Sequence, residues 1–148
     1  MGAEVKLSTR GRYGIHAMFD LALHAQKTPQ PIKAIAEREN VPEAYLEQLI
    51  GVLRKEGLVK SVRGAQGGYM LNRPAGEITV GNVLRALEGD LSLVSCLGDD
   101  DVCAKSGGCP TRAVWQKLRD GINQVVDGIT LQDMLDDYER MNAQGEQQ

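Results

Sequence analysis

The 148-residue chain has no fourth cysteine: Cys96, Cys103 and Cys109 all lie within one fourteen-residue polar stretch rich in glycine and aspartate. An odd number of thiols cannot pair off within one molecule, which excludes a closed disulfide framework. None is needed, since a chain of this length can bury a core that holds without covalent staples. There is no C-x-x-C, no histidine next to a cysteine, and no glycine-rich phosphate loop leading from a strand into a helix. Those absences remove the usual signatures of thiol oxidoreductases and nucleotide-using enzymes, so neither catalysis nor a small-molecule substrate is expected. No apolar run approaches the roughly 18 residues of a membrane span. Arg10, Arg12 and Asp20 interrupt the first apolar-rich stretch, against a signal peptide, and Lys6 stands where N-myristoylation needs Ser or Thr. No internal repeat is present. The expected location is cytoplasmic, where reducing conditions favour metal or redox roles for thiols.

What is present is divided unevenly. The net charge of −3 combines a basic half with an acidic one. Residues 1–75 hold 11 Lys and Arg against 7 Asp and Glu, a net of +4; residues 76–148 hold 6 against 13, a net of −7. A nucleic-acid partner responds to the local field, so the acidic total does not exclude one.

Periodicity and punctuation predict a mainly α chain with one small β element. Ile15, Met18, Phe19 and Ala22 recur at helical spacing after Ser8 or Thr9, predicting a helix to about Ala25. Pro31 and Pro42 each open a further helix, and Leu46, Leu49, Ile50 and Leu53 form one apolar face of the second, which stops at Gly57. Two helices with a tight break between them make a helix-turn-helix pattern. The stretches Leu58–Val62 and Tyr69–Asn72 flank a loop with three glycines, a hairpin placed where a winged-helix domain carries its wing. Thr79 caps a helix ending near Gly89. Pro110 or Thr111 opens a long helix whose Trp115, Leu118, Ile122 and Val125 draw a narrow apolar seam. Two heptads are too short to stand as a free coiled coil, so the seam needs a partner: its copy in a second subunit is expected, with the domain's own core as the alternative. Thr130 caps a last helix, and the polar residues after Met141 are expected to be disordered. The expected units are a winged-helix domain over 6–89, a cysteine loop over 90–109, dimerisation and C-terminal helices over 110–141, and a tail over 142–148.

Spacing alone leaves the chemistry of the cysteine loop open. Gaps of six and five residues between the thiols lack the short pairs usual for structural zinc, and a tetrahedral site needs a fourth ligand. Zinc, a thiol redox switch and an iron–sulfur cluster all remain compatible with soft thiolate donors.

The segments KLSTRGRYGIHAM, AYLEQLIGVLRKEGLVKSVRGAQGGYML and ITLQDML, with the three-cysteine loop, resemble the IscR-type iron–sulfur-cluster regulators. These belong to a wider winged-helix family that also holds the nitric-oxide sensor NsrR and the cysteine-metabolism repressor CymR. The likeness runs from about Lys6 to Leu135. It implies a homodimeric transcription factor, mainly a repressor, that binds double-stranded DNA under the control of a cluster, with genes for cluster assembly as targets. A nitric-oxide or redox-sensing repressor of the same fold is the nearest alternative; a zinc protein or cluster carrier indifferent to DNA is a more remote one. The resemblance also implies that Cys96, Cys103 and Cys109 hold the cluster, [2Fe–2S] ahead of [4Fe–4S]. IscR-type proteins carry a histidine three positions after the last cysteine, and Arg112 stands there in this chain. Some relatives recruit a ligand from the partner's first helix; Arg12 matches the carboxylate position used there and His16 a second position. His16 is therefore a candidate fourth ligand, with Asp99, Asp100 and Asp101 as others.

On DNA, Thr9, Arg10 and Arg12 at the first helix start, with Arg54 and Lys55 at the recognition-helix end, suit phosphate. Tyr45, Glu47 and Gln48 are candidates for base edges, since Gln pairs with adenine and Glu accepts from cytosine. Arg63, followed by Gly64 at the wing tip, suits a narrow minor groove. A dimer would read half-sites roughly 34–36 Å apart.

Overall fold

The structure, a computed structural model, describes residues 8–89 and 110–146. Cys96, Cys103, Cys109 and Asp99 to Asp101 lie outside the described residues, as do Lys6 and the last two positions. Helix α1 spans Thr9–His24, α2 Ile32–Glu39, α3 Glu43–Lys55, α4 Val80–Glu88, α5 Pro110–Asp127 and α6 Leu131–Glu146. Strands β1, Val59–Val62, and β2, Gly68–Leu71, pair antiparallel with Val59 opposite Leu71 and Val62 opposite Gly68. A single 3-10 turn, Ala75–Glu77, leads into α4.

The capping signals explain most boundaries. Ser8 caps α1 by accepting from the Gly11 N–H, and Thr79 closes a reciprocal box with Asn82 at the start of α4. Pro31 and Pro42 occupy the N-cap positions of α2 and α3, one place ahead of the first helical residue. Between those helices Asn40 takes a left-handed φ of 54°, the tight reversal that a helix-turn-helix requires.

Helix α1 is the central post, touching α2, α3, α4, β2 and α6. Its Met18 and Leu21 meet Ile35, Leu46, Leu49, Ile50, Leu53 and Val83 in one core, all buried. Each such side chain contributes about 1.5–3 kcal/mol by leaving water. The C-terminal helix α6 joins this core through Leu131 and Leu135. Its entry is fixed by backbone bonds from Val80 N–H to Ile129 O, 2.8 Å, and from Leu131 N–H to Ile78 O, 2.9 Å.

One expectation needs revision. The polar residues 142–145, expected to be irregular, continue α6 as far as Glu146. Asn142, Ala143 and Gln144 follow an established helix, so each needs only the favourable propagation step and no new nucleus. The connector before Pro31 is also more ordered than its composition implies: Gln30 forms an antiparallel bridge with Tyr69 of the wing. Among the described residues, no helix is long and apolar enough to cross a membrane.

Candidate nucleic-acid interface

Helix α3 divides sharply between its faces. Leu46, Leu49, Ile50 and Leu53 are buried, while Glu47, Gln48, Arg54 and Lys55 stand exposed. Pairing at three and four residues puts the apolar set on one stripe and leaves the polar set free to enter a groove. Arg54 and Lys55 fall in the last turn, where the carbonyl ends of the helix favour cations. Tyr45 differs from its neighbours. It is half-buried, with its ring 5.9 Å from that of Tyr13 and nearly perpendicular to it, so the ring packs α3 on α1.

The wing projects from the end of this helix. Arg63 and Gly64 are exposed at its tip, and the turn closes through Gly67 N–H to Gly64 O at 3.0 Å. A side chain at Gly67 would place Cβ 2.1 Å from the Val62 carbonyl oxygen, so a tip this tight requires glycine there. Among the described residues, Arg63 has no ion pair or hydrogen bond that would hold its guanidinium back.

Thr9, Arg10 and Arg12 are exposed in the first turn of α1. A carboxylate reaches the same helix end: Ser8 N–H donates to Glu88 Oε1 at 2.8 Å, and the Ser8 hydroxyl donates to the same oxygen. Glu88 therefore ties α1 to the last residue of α4, directly ahead of the cysteine segment. Sequence reading did not single out Glu88, because nothing local marks a contact spanning eighty residues.

A second charged group was missed for a different reason. Asp20 lies between Phe19 and Leu21, and its side chain is 2% exposed. Arg38 of α2 donates to it from Nε at 2.8 Å and from Nη2 at 2.7 Å, a two-pronged pair that satisfies the buried carboxylate. Donating this hydrogen bond to Asp20 strengthens Arg38's hold on its proton. A lone acid inside an apolar helical stretch was the available signal, since buried acids are nearly always paired. His16 is largely exposed, with Nδ1 3.5 Å from the Glu39 carboxylate. Burial and the nearby Asp20 charge push the Glu39 carboxyl above its ordinary value, and His16 opposes them.

Helix α5 is the least covered of the described α-helices. It has no buried residue, and Val114, Trp115, Leu118 and Val125 are exposed. A shallow groove of about 420 Å³ runs along Lys117, Leu118, Gly121, Ile122, Val125 and Val126. Arg85 of α4 ties the helix to the body, donating to both Asp127 oxygens at 2.6 and 2.9 Å and to Asn123 at 2.7 Å. That bond lowers the Asp127 pKa. Arg112, in the first turn of α5, is half-buried. No three metal-binding side chains converge among the described residues.

Comparison with known proteins follows the same outline. A family model named Rrf2, described as an iron-dependent transcriptional regulator, matches residues 7–137. An HTH-type transcriptional regulator IscR of Pectobacterium atrosepticum is 40% identical over 139 residues, 94% of this chain and 84% of the relative. The protein of that name from Vibrio atlanticus is 42% identical over 135 residues, 91% of this chain and 78% of its own. Among solved structures, T. potens IscR superposes with a TM-score of 0.79 at 50% identity, covering 93% of this chain and 90% of that one. CymR, the global cysteine regulator of B. subtilis, gives a TM-score of 0.76 at 42% identity, covering 88% and 96%.

Proposed function

Because the chain belongs to the Rrf2 family of iron-dependent transcriptional regulators, we propose how this regulator grips DNA and how an iron–sulfur cluster biases that grip. It is a DNA-binding transcriptional regulator of the IscR type and not an enzyme. The observation that carries the reading is the exposed polar face of α3 together with an exposed Arg63 at the wing tip that has no partner among the described residues. Glu47 and Gln48 read base edges in the major groove, and Arg63 with Gly64 enters the adjoining minor groove. Thr9, Arg10, Arg12, Arg54 and Lys55 hold phosphates, which positions the protein without reading sequence. Tyr45 supports the reading helix through Tyr13 and contributes at its edge.

Two copies act together. The uncovered seam of α5, with Trp115, Leu118 and Val125 outward, is the surface a second copy covers. The pair reads two half-sites related by the dimer axis. A DNA-bound regulator with reduced thiols belongs in the cytoplasm.

Cys96, Cys103 and Cys109 fit an iron–sulfur cluster by donor chemistry: three soft thiolates on one segment, bracketed by Glu88 and by the start of α5. A bound cluster, [2Fe–2S] before [4Fe–4S], supplies the redox- and supply-sensitive ligand. His16 is the candidate fourth donor in this reading, exposed on α1 and held, among the described residues, by a long contact to Glu39. The chain's own part is mechanical: Glu88 joins the beginning of the cysteine segment to the phosphate-binding end of α1. A difference in cluster affinity between two states of the protein then becomes a difference in DNA affinity. Repression of genes for cluster assembly is the output that the likeness to IscR-type regulators implies.

The test begins with selection of duplexes from a random-sequence pool by protein prepared without oxygen. Enrichment of one motif, with affinity falling steeply as salt rises, supports the reading. Affinity that ignores both salt and sequence contradicts it. Cys103→Ala should abolish bound iron and sulfide while leaving the fold intact; unchanged iron content would reject the cluster site.

A further inference from the structure

We infer that Gln30 is the latch that sets the angle of the wing against the helix-turn-helix, and so determines specificity through Arg63. The inference rests on the DNA-binding reading above and extends it to a residue that touches no base.

A two-stranded hairpin is marginal alone, so the wing needs an outside hold to present Arg63 in a fixed place. Gln30 provides one with its backbone. Its N–H donates to Tyr69 O at 3.0 Å, and its carbonyl accepts from Tyr69 N–H at 2.8 Å, so the connector acts as a third, one-residue strand beside β2. The approach is close enough to exclude a side chain at Gly68, whose Cβ would sit 2.3 Å from Gln30 O. Gly68 also holds a φ of 154°, which favours glycine.

The Gln30 side chain ties the same residue to the helices. Its Oε1 accepts from Arg38 Nη2 at 2.9 Å, and its Nε2 donates to the carbonyls of His24 at 3.1 Å and Thr28 at 3.2 Å. Arg38 has little freedom of its own, being clamped on buried Asp20. One glutamine thereby joins the end of α1, the first helix of the helix-turn-helix, the connector and the wing. The backbone bridge alone fixes only the register of the wing; the side-chain bonds fix where the bridge stands relative to α2. Gln30 is a positioning residue, since its influence on DNA passes through the wing.

Gln30→Met keeps length and apolar bulk while removing the three side-chain bonds, and the backbone bridge lets the chain fold. With the duplex selected by the native protein as probe, the variant should bind about 5-fold more weakly, while affinity for the unselected pool stays unchanged. In an Arg63→Ala background the same substitution should cost less than about 2-fold, because the wing no longer reads. Equal losses on selected and unselected DNA, full additivity with Arg63→Ala, or no loss at all would each overturn the latch. Amide exchange at Tyr69 gives a reading independent of DNA: the variant should exchange faster there, and unchanged exchange also overturns it. Failure of the native chain to enrich any sequence would instead strike the DNA-binding reading, with Tyr69 exchange still deciding the latch.

Discussion

The winged-helix body and helix α5 solve the problem of apolar surface in opposite ways. In the body, α1 and α3 turn Met18, Leu21, Leu46, Leu49 and Leu53 into a shared interior, with Asp20 the one charged side chain buried beside it and paired with Arg38 among the described residues. In α5 no side chain is buried, and Trp115, Leu118 and Val125 face outward while Arg85 pins the helix by its far end. Among the described residues the body closes its own core, whereas the outward face of α5 is left uncovered. If a second copy covers that face, as proposed, stability and assembly are separable properties assigned to different residues.

The strongest way to break that separation is to exchange the two kinds of leucine. Leu53→Ala should destabilise the chain by about 2–5 kcal/mol, measured by denaturant unfolding, because it opens a cavity in a closed core. Leu118→Ala should cost less than about 1 kcal/mol in the monomer yet raise the dimer dissociation constant about 10-fold or more, measured by sedimentation. Equal effects of both substitutions on unfolding would mean that α5 is an ordinary part of the core.

A middle-sized effect tests the DNA face. Arg63→Ala should weaken binding to the selected duplex by about 1–3 kcal/mol with bound iron unchanged. Arg54→Ala should weaken binding to all sequences alike and reduce the slope of log affinity against log salt by about 1. Reversal of those two patterns would place the reading function on the helix end instead of the wing.

The smallest effect comes from Glu39, whose carboxyl holds its proton more tightly in the folded chain than in the unfolded one. Its contribution to stability is full below the ordinary carboxylate range and is lost as pH rises through the raised value. At neutral pH the ionised group opposes folding beside Asp20, so Glu39→Gln should stabilise by about 0.5 kcal/mol there and by nothing in acid. A gain independent of pH would point to packing instead of charge.

The elements of the body were legible because their ends are written locally. Ser8 and Thr79 cap, Pro31 and Pro42 open, and the leucine spacing of α3 identifies its buried face. What escaped depends on partners far away in the chain. Gln30 meets Tyr69, Asp20 meets Arg38 and Ser8 meets Glu88 only after folding, and no periodicity announces them. The continuation of α6 through residues 142–145 was hidden by a polar composition that disordered tails share with exposed helix ends. Of the residues proposed to face DNA, Glu47, Gln48, Arg54 and Lys55 are exposed, as a reading of helix faces implies, and so is Arg63 at the wing tip, while the Tyr45 ring is committed to Tyr13. The three cysteines were the plainest signal in the sequence, and their assignment rests on donor chemistry and family likeness.

The central claim, that ligation by those thiols biases the grip on DNA, is tested by measuring one affinity twice. Protein prepared without oxygen is titrated onto its selected duplex before and after its iron is removed by a chelator, at a single fixed salt concentration. The account predicts affinities that differ by about 5-fold or more. Identical affinities in the two states would contradict it.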